Sequence, residues 1–575
     1  MPKRSSNDLS TPSAKDRICS QTFLCSSSGS VVMVFFRGDR YCFYGTARIQ
    51  CLAGDFFVDG YKVPPIGNME SDSMRHVSAP YRFSRPAVFR SLNKDEVPAK
   101  YKLSRLRYRL KEITPHYEQI MGLIGEKYPG IVVIDRKPTA TIQVLDQVLQ
   151  DFFVPSWLRS TCQFDRTLFF NGEFQPYMDE SQTKLLHAMD EINKKRAEGA
   201  RCVIVPIGSQ GAGKSTLVRH LVNTNLSEGH PIYLLDTDVG QSEFTPPGCL
   251  SLWKMSDPIL DVPCTHQAQI YPCCYFYGNI TPADDVVRYK EIFDRLLNEF
   301  QTRSEPGSLL IVNTLGWIDG LGSQILSHIF DVSRPTLALS LSQDRGSFTI
   351  PDWVPIVVHI TNKYSIHYNH LTTPGNTIKP ARLMSYQLRD LAIVSYFSSV
   401  LPRPVLSAIC DATPYCVKFE RITVCIPEDY SYVDDRYFLA TLNVQIVALC
   451  SSLEDQPLNT RRVLGIDALP LISVICKGSP LLKCHGYGII RAIDLDKKLF
   501  YIITPIPPSE LSKINILARG TDIMVPQMLL ESQPAGNVLY LSRPALASKS
   551  GIIPDLYNGL KNIKTMRREF FPASS

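Results

Sequence analysis

The sequence predicts an α/β protein with a mostly parallel central sheet, flanked on both sides by β-rich domains. Three observations in the 575-residue chain predict this class. Short, wholly apolar runs recur in the middle of the chain and alternate with helix-like segments, which is typical of a parallel sheet. A glycine-rich loop follows the first of these runs. Outside this region, short β-rich runs are separated by Gly, Pro and Asp, which indicates two further β-rich modules.

These changes of pattern also predict domain boundaries. Residues 1–20 are rich in Ser, Pro and basic side chains, and we expect them to form a disordered basic tail. A β-rich N-terminal domain is expected over residues 21–180, and the central α/β domain over residues 181–402. A β-rich C-terminal domain is expected over residues 403–575.

Individual elements can be placed from the periodicity of apolar residues. An amphipathic pattern predicts a helix over residues 183–196 that ends at Gly199. Two more helices are predicted, over residues 214–224 and 383–401. The predicted strands of the central domain are residues 202–207, 232–235, 309–312, 336–341 and 356–360. Those of the flanking domains include residues 30–36, 41–43, 56–63, 415–426 and 486–503.

Composition excludes some classes of protein. With 44% hydrophobic and 20% charged residues, the chain can bury real cores and is not disordered throughout. Its net charge of +6 is compatible with a polyanionic partner but does not require one. No apolar stretch reaches the roughly 18 residues of a membrane helix, so no membrane segment is predicted. No two of the 16 Cys are spaced as C-x-x-C, which favours buried thiols over a disulfide framework or a zinc site.

Residues 208–215 read GSQGAGKS and fit the phosphate-binding pattern G-x-x-x-x-G-K-[ST]. They follow an apolar strand and open a helix, which is the context that a P-loop NTPase domain requires. Backbone N–H groups of such a loop surround nucleotide phosphates, Lys214 can reach the β- and γ-phosphates, and Ser215 can offer its hydroxyl to Mg²⁺. The residues predicted to bind ATP are Gly208, Ser209, Gln210, Gly211, Ala212, Gly213, Lys214, Ser215 and Thr216.

Polar residues follow two other strands of the central domain. Asp236 and Asp238 stand at the end of one strand, where one carboxylate can hold Mg²⁺ and the other can accept a proton from an attacking hydroxyl. The alternative is a plain Asp-rich turn. Trp317 follows the next strand and could stack on a nucleobase, whereas the alternative is packing beneath the following helix. The guanine-recognition sequence N-K-x-D does not occur, which argues against a Ras-type GTPase.

Together these segments resemble the polynucleotide 5′-hydroxyl kinases of the nucleolar protein 9 type, which are related to the RNA kinases of tRNA splicing and mRNA 3′-end cleavage. The motifs that carry the resemblance are residues 208–216, residues 236–248 (DTDVGQSEFTPPG) and residues 313–317 (NTLGW). The resemblance extends over about residues 200–530. Residues 242–248 (SEFTPPG) favour the nucleolar branch of this family. Less specific matches that favour the same branch are residues 388–397, 486–491 and 501–505.

The resemblance implies transfer of the ATP γ-phosphate to the 5′-hydroxyl of RNA, with Mg²⁺. It implies that Asp238 is the base and that Asp236 binds the metal with Ser215. A mobile lid supplies an arginine in this family, and Arg389 is the candidate here, with Arg382 as the alternative. The residues implied to bind RNA are Gln241, Thr314, Gly316 and Trp317. The resemblance also implies a nucleolar role in ribosomal RNA maturation, with a partner endoribonuclease, at the second internal transcribed spacer.

Two other functions remain open from the sequence. One is a kinase of small nucleosides or nucleotides, although the long β-rich flanks are more surface than such an enzyme needs. The other is a non-catalytic scaffold that binds ATP within an RNA-processing complex. The intact P-loop and both Asp residues argue against a degenerate site.

Overall fold

The computed structural model describes residues 22–26, 29–66, 74–154, 167–171, 180–227, 229–341, 348–360, 383–427, 433, 435–453, 458–464, 470–475 and 480–531. The predicted basic tail and Arg382 lie outside these residues. The chain forms two compact units, each assembled from separate segments. The first contains residues 1–236, 253–265 and 297–383, and the second contains residues 237–252, 266–296 and 384–575. The predicted boundaries of consecutive domains stay predictions.

The N-terminal part of the first unit is built on a largely antiparallel sheet. Its elements in chain order are β1 (Thr22–Leu24), β2 (Ser30–Phe35), β3 (Arg40–Ala53), β4 (Phe57–Val58), β5 (Tyr61–Lys62), β6 (Arg75–Ala79), β7 (Ala87–Arg90), α1 (Leu103–Ile113), α2 (Tyr117–Ile124), β8 (Gly130–Asp135), α3 (Ala140–Val148) and β9 (Thr167–Asn171). The strands pair in the order β1–β2–β8–β3–β7–β4–β5, and β6 and β9 also pair with β3. The predicted β-rich character of this region is confirmed.

Helices α1 and α2 were not predicted, and they cover one face of this sheet. Leu106 and Leu110 of α1 join Ile120 and Ile124 of α2 in a core with buried residues of β2, β3 and β8. Apolar residues recur along α1 at helical spacing, but Arg and Lys fill the positions between them and obscure the pattern. A second core lies among other buried residues of the strands and contains Phe35, Phe43, Phe56 and Phe89.

The central elements alternate strands and helices. They are α4 (Glu180–Ala197), β10 (Cys202–Ile207), α5 (Lys214–Leu226), β11 (Ile232–Asp236), β12 (Cys249–Met255), β13 (Cys273–Phe276), α6 (Val286–Arg303), β14 (Leu309–Asn313), α7 (Leu321–Ser333), β15 (Leu337–Ser340), β16 (Ile356–His359) and α8 (Ser385–Ser398). In the first unit, parallel strands pair in the order β16–β15–β10–β14–β11. All five strands predicted for this sheet are confirmed, and so is the α/β class.

Parallel pairing determines where the polar residues of the first unit lie. Strands β10, β14 and β11 are neighbours and are buried along their whole length. Because their carboxyl ends meet at one edge of the sheet, the loop after β10 lies beside the ends of β14 and β11. This edge carries the candidate site.

The C-terminal elements are β17 (Tyr415–Lys418), β18 (Thr423–Cys425), β19 (Ile446–Ser452), β20 (Thr460–Leu464), β21 (Pro470–Ile475), β22 (Leu482–Asp494), β23 (Leu499–Ile503), α9 (Pro508–Leu511), β24 (Ile516–Arg519) and α10 (Gln527–Glu531). In the second unit, β12 pairs with β13, and the order continues as β22–β19–β24–β18–β21–β20. Strand β23 pairs with β22 and β17. The predicted β-rich C-terminal region is confirmed. Among the residues described, none of the helices has the length and apolarity needed to span a membrane.

Candidate active site

The loop between β10 and α5 has the curled backbone that a P-loop needs. Gly211 and Gly213 have φ angles of 77° and 97°, in the left-handed region that favours glycine. Gly208 is packed closely, because a Cβ there would lie 3.2 Å from the Cβ of Ala212. Helix α5 begins at Lys214, so its first backbone N–H groups face the loop. The exposed residues Ser209 and Gln210 leave the outer side of the loop open to solvent.

The side chain of Lys214 lies over this loop. Lys214 is 7% exposed, and its Nζ donates hydrogen bonds to the carbonyl oxygens of Gly208 at 2.7 Å and Ser209 at 3.0 Å. The ammonium group is therefore held at the place where nucleotide phosphates bind in a P-loop. Ser215 and Thr216, which follow in α5, are both partly exposed.

Asp236 ends β11 and is 1% exposed. It lies directly opposite Asn313 in the register of β11 and β14, and Asn313 Nδ2 donates a hydrogen bond to Asp236 Oδ1 at 3.0 Å. A buried carboxylate is costly unless it is paired or hydrogen-bonded, so this amide stabilises and orients it. We had not predicted a role for Asn313. Its position as a polar residue at the end of an apolar strand was the available signal.

The donors in the first unit fit Mg²⁺. Ser215 offers a hydroxyl and Asp236 a carboxylate, both of them hard oxygen donors. Mg²⁺ retains several waters and is usually bound by one or two protein groups together with substrate phosphates. The residues present therefore offer the types of donor that a metal bound along with a nucleotide requires.

The segment after β14 packs against the P-loop. Thr314 is buried and donates from Oγ1 to the carbonyl oxygen of Pro206 at 2.5 Å, which ties the end of β14 to β10. A Cβ on Gly316 would lie only 2.9 Å from Gln210 Cα and 3.0 Å from Gln210 N. Glycine is thus needed for this close approach of two backbones. The structure thus places Gly316 against Gln210 of the P-loop and Thr314 against Pro206, two residues before the loop, and their role in binding RNA stays a prediction.

Trp317 is half-buried and lies beside the first turn of α7. A Cβ on Gly322 would meet the Trp317 carbonyl oxygen at 2.3 Å and its Cγ at 2.6 Å. Part of the Trp317 side chain therefore packs against helix α7, as the packing alternative expects. Another part is exposed to solvent, and its stacking on a nucleobase stays a prediction.

Asp238 belongs to the second unit and starts a tight turn. Its Oδ1 accepts hydrogen bonds from the backbone N–H groups of Gly240 at 3.1 Å and Gln241 at 3.0 Å, which fixes the direction of the carboxylate. Ser242 Oγ donates to the Asp238 carbonyl oxygen at 2.9 Å. A Cβ on Gly240 would lie 2.9 Å from the carbonyl oxygen of Ile280, so this turn is packed closely on its other side.

The turn is linked to helix α8 within the second unit. The exposed Gln241 donates from Nε2 to Ser385 Oγ at 3.2 Å. Ser385 and Arg389 are one turn apart on α8, so they share a helix face. The structure therefore brings the predicted residues Gln241 and Arg389 to the same side of this helix.

A buried pair that sequence reasoning missed anchors the same segment. Glu243 is buried, and His266 Nε2 lies 3.2 Å from its Oε1 and 2.9 Å from its carbonyl oxygen. The His266 ring also contacts Phe244, with centroids 5.1 Å apart. No local pattern connects these residues, because the contact joins two separate loops. The pair holds the chain that continues from Asp238 and Gln241.

Two family models and one solved structure are similar to this chain. The family described as "mRNA cleavage and polyadenylation factor CLP1 P-loop" matches residues 208–399. The family described as "NOL9-like, C-terminal domain" matches residues 410–525. The solved structure of a wild-type Clp1p–Pcf11p complex aligns with 86% of this chain and 98% of that chain, at 13% identity and a TM-score of 0.47.

Similar sequences cover nearly the whole chain. "Polynucleotide 5′-hydroxyl-kinase nol-9" of Caenorhabditis elegans is 35% identical over 522 residues, which are 90% of this chain and 93% of that protein. "Polynucleotide 5′-hydroxyl-kinase NOL9" of Bos taurus is 26% identical over 569 residues, which are 88% of this chain and 77% of that protein. These similarities confirm the resemblance found in the sequence, and the chain belongs to the NOL9 family of polynucleotide 5′-hydroxyl-kinases.

Proposed function

We propose that this chain is an ATP-dependent kinase that phosphorylates the 5′-hydroxyl end of RNA. The observation that carries the proposal is the complete P-loop, with Lys214 held over its carbonyl oxygens, in a member of the NOL9 family. Phosphoryl transfer depends mainly on positioning and on neutralising the charge of the transferred group, and a P-loop does both.

On binding ATP, Lys214 would replace its present hydrogen bonds to backbone carbonyl oxygens with hydrogen bonds to phosphate oxygens. Its two acceptors, the carbonyl oxygens of Gly208 and Ser209, are neutral. Phosphate oxygens are charged, and hydrogen bonds to charged acceptors are stronger. The exchange is therefore favourable and moves the ammonium group only within the loop. Backbone N–H groups at the start of α5 would bind the same phosphates.

Ser215 and Asp236 would hold Mg²⁺ at the end of the parallel sheet. The hydrogen bond from Asn313 leaves Asp236 oriented for this task. When bound, the metal neutralises charge on the transferred phosphoryl group. Asn313 would act as a positioning residue, because it contacts the carboxylate and not the reacting atoms.

Asp238 would accept the proton of the attacking 5′-hydroxyl, as a general base. Its turn, with Oδ1 bonded to the N–H groups of Gly240 and Gln241, fixes the carboxylate before the substrate arrives. Arg389 would neutralise charge that develops on the phosphoryl oxygens. Gln241, placed by Ser385, would contact the acceptor end of the RNA.

Trp317 would stack on the terminal base of the RNA. Thr314 and Gly316 would position the segment that carries Trp317, since Thr314 ties this segment to Pro206 and Gly316 allows it to approach Gln210. Stacking tolerates any base, which suits an enzyme that acts on RNA ends.

The acceptor defines the function and can be tested directly. Purified protein with labelled ATP should phosphorylate a 5′-hydroxyl RNA oligonucleotide, and should not label the same RNA once it carries a 5′-phosphate. A reaction with adenosine as the acceptor distinguishes a small-molecule kinase from a polynucleotide kinase. A reaction with a DNA oligonucleotide of the same sequence measures the preference for RNA over DNA. Labelling of adenosine but not of RNA would reject the proposal, and labelling of neither would favour the scaffold function.

We further propose that the kinase acts in the nucleolus on ribosomal RNA precursors, after a partner endoribonuclease has cut the second internal transcribed spacer. The support for this is the resemblance to the nucleolar branch of the family. Depletion of the protein should then leave 5′-hydroxyl ends in that spacer, as mapped by ligation that requires a 5′-phosphate. Unchanged 5′-phosphate ends after depletion would reject this role.

A further inference from the structure

Three cysteines on neighbouring strands of the second unit converge in its interior. Cys249 lies on β12, Cys274 on β13 and Cys484 on β22, and their Sγ atoms all lie within 4.8 Å of one another. The three residues are 1%, 0% and 0% exposed. Among the described residues, this is the group of His, Cys, Asp and Glu side chains whose geometry could hold a metal ion.

Strand register explains the convergence. Cys274 is paired with Ser251 across β12 and β13, and Cys249, two residues from Ser251, faces the same side of the sheet. On β13 and β22, Tyr275 is paired with Lys483, which places Cys274 and Cys484 at adjacent positions of that ladder. Diagonal and direct neighbours in a sheet are close enough for side chains to interact.

We propose that Cys249, Cys274 and Cys484 bind one Zn²⁺ ion as a structural site. Zn²⁺ takes thiolate ligands at about 2.3 Å, so tetrahedral ligands lie roughly 3.8 Å apart, within the limit that these sulfur atoms satisfy. On binding, three S–H bonds break, three protons pass to solvent and three Zn–S bonds form. The site then carries a net charge of −1, since three thiolates bind one divalent cation.

A hydroxyl beside the cluster is suited to support the bound state. Tyr487 Oη lies 3.0 Å from Cys249 Sγ and also donates to the carbonyl oxygen of Pro247 at 2.8 Å. When Cys249 is a thiol, it can donate to the tyrosine oxygen. When Cys249 is a thiolate, the tyrosine proton can turn towards sulfur. Such hydrogen bonds to ligands tune metal affinity.

Cys450 on β19 is paired directly with Cys484 on β22 and is 0% exposed, but its sulfur lies outside the group of atoms that are all within 4.8 Å of one another. It would therefore have to rotate to become a fourth ligand, which would release one more proton and bring the charge of the site to −2. Structural zinc sites are nearly always four-coordinate. The alternative for all four residues is that they are free thiols that pack in the core as small apolar side chains.

Measuring the metal content of the purified protein distinguishes a zinc site from free cysteines that only pack together. The 575-residue chain is expressed in zinc-containing medium and purified without chelators, and its zinc content is measured by mass spectrometry. We expect about one zinc per chain in the wild type and its loss in Cys249→Ala and Cys274→Ala. Cys51→Ala, at an equally buried cysteine outside the cluster, should keep the metal. Wild type with less than about a tenth of a zinc per chain, or Cys274→Ala with full zinc, would overturn the site.

A second measurement covers variants that do not fold. Wild-type protein is refolded with Cd²⁺ alone, and thiolate-to-cadmium charge-transfer absorption is recorded in the ultraviolet. We expect the absorption of about three thiolates per ion, and about 10–100-fold weaker Cd²⁺ binding in Tyr487→Phe. No charge-transfer absorption, or a disulfide between two of the three cysteines in peptide mass analysis, would contradict the proposal.

Discussion

Asn313 Nδ2 donates to Asp236 Oδ1 at 3.0 Å across two directly paired positions of β11 and β14. Asn313→Ala leaves the buried carboxylate without this partner, at a cost of about 1–3 kcal/mol in stability. We expect phosphoryl transfer to fall about 10–100-fold and the Mg²⁺ concentration for half-maximal rate to rise. Initial rates across an Mg²⁺ titration measure both.

A control for this prediction lies at the other end of β14. Ser308 is buried and donates from Oγ to the Glu305 carbonyl oxygen at 2.7 Å. Ser308→Ala should lower the melting temperature without changing the Mg²⁺ requirement. An equal shift in Mg²⁺ requirement in both variants would show that Asn313 acts only through stability.

Gly316→Ala should weaken ATP binding. The added Cβ would meet backbone atoms of Gln210 at 2.9 and 3.0 Å, so the P-loop has to move. We expect an increase of about tenfold in the KM for ATP, equivalent to about 1.4 kcal/mol. Gly122→Ala is the control, because its Cβ meets nothing within 4 Å. In helix α2 it should add up to about 1 kcal/mol of stability and leave the KM unchanged. An unchanged KM in Gly316→Ala would contradict the assigned contact.

Trp317→Ala should weaken RNA binding while ATP binding hardly changes. Loss of one stacked base costs about 1–3 kcal/mol, and fluorescence anisotropy with a labelled 5′-hydroxyl RNA measures it. Trp353→Ala provides a matched control, since Trp353 is 40% exposed and contacts Arg334 at 4.6 Å from its ring centroid. If Trp317→Ala lowered only the melting temperature, Trp317 would be a packing residue.

The pair His76 and Asp261 should make stability depend on pH. Burial alone would lower the pKa of His76, but the Asp261 carboxylate, 2.8 Å from Nδ1, raises it above the usual value for histidine, about 6.5. A histidine with a raised pKa in the folded state contributes stability that is present below the unfolded pKa and is lost as pH rises through the folded pKa. Wild type should therefore lose stability from pH 6.5 upwards relative to His76→Gln. Parallel stability curves for the two proteins would contradict this assignment.

The local chemistry of the site was predictable, and its long-range contacts were not. The P-loop at residues 208–215 is a contiguous motif whose glycines and lysine have fixed roles, so the sequence alone located it. The apolar strands that carry it were equally clear because they are buried throughout. The bond from Asn313 to Asp236 depends on which strands become neighbours, and that is decided by the whole sheet.

Other features escaped prediction for related reasons. In α1, four basic residues lie among the apolar positions and obscured a helix that buries Leu106 and Leu110. The thiols of Cys249, Cys274 and Cys484 meet through strand register, so no spacing in the sequence indicated them. The same holds for His266 and Glu243, which join separate loops.

The most direct test of the kinase function follows the γ-phosphate of ATP to the end of an RNA. Wild type, Lys214→Ala and the surface control Lys497→Ala are incubated with γ-labelled ATP and 5′-hydroxyl RNA, and the RNA is digested to identify the labelled nucleotide. We predict label at the 5′-terminal nucleotide with wild type and Lys497→Ala, and none with a folded Lys214→Ala. Equal labelling by Lys214→Ala, or no labelling by wild type, would contradict the function proposed for this chain.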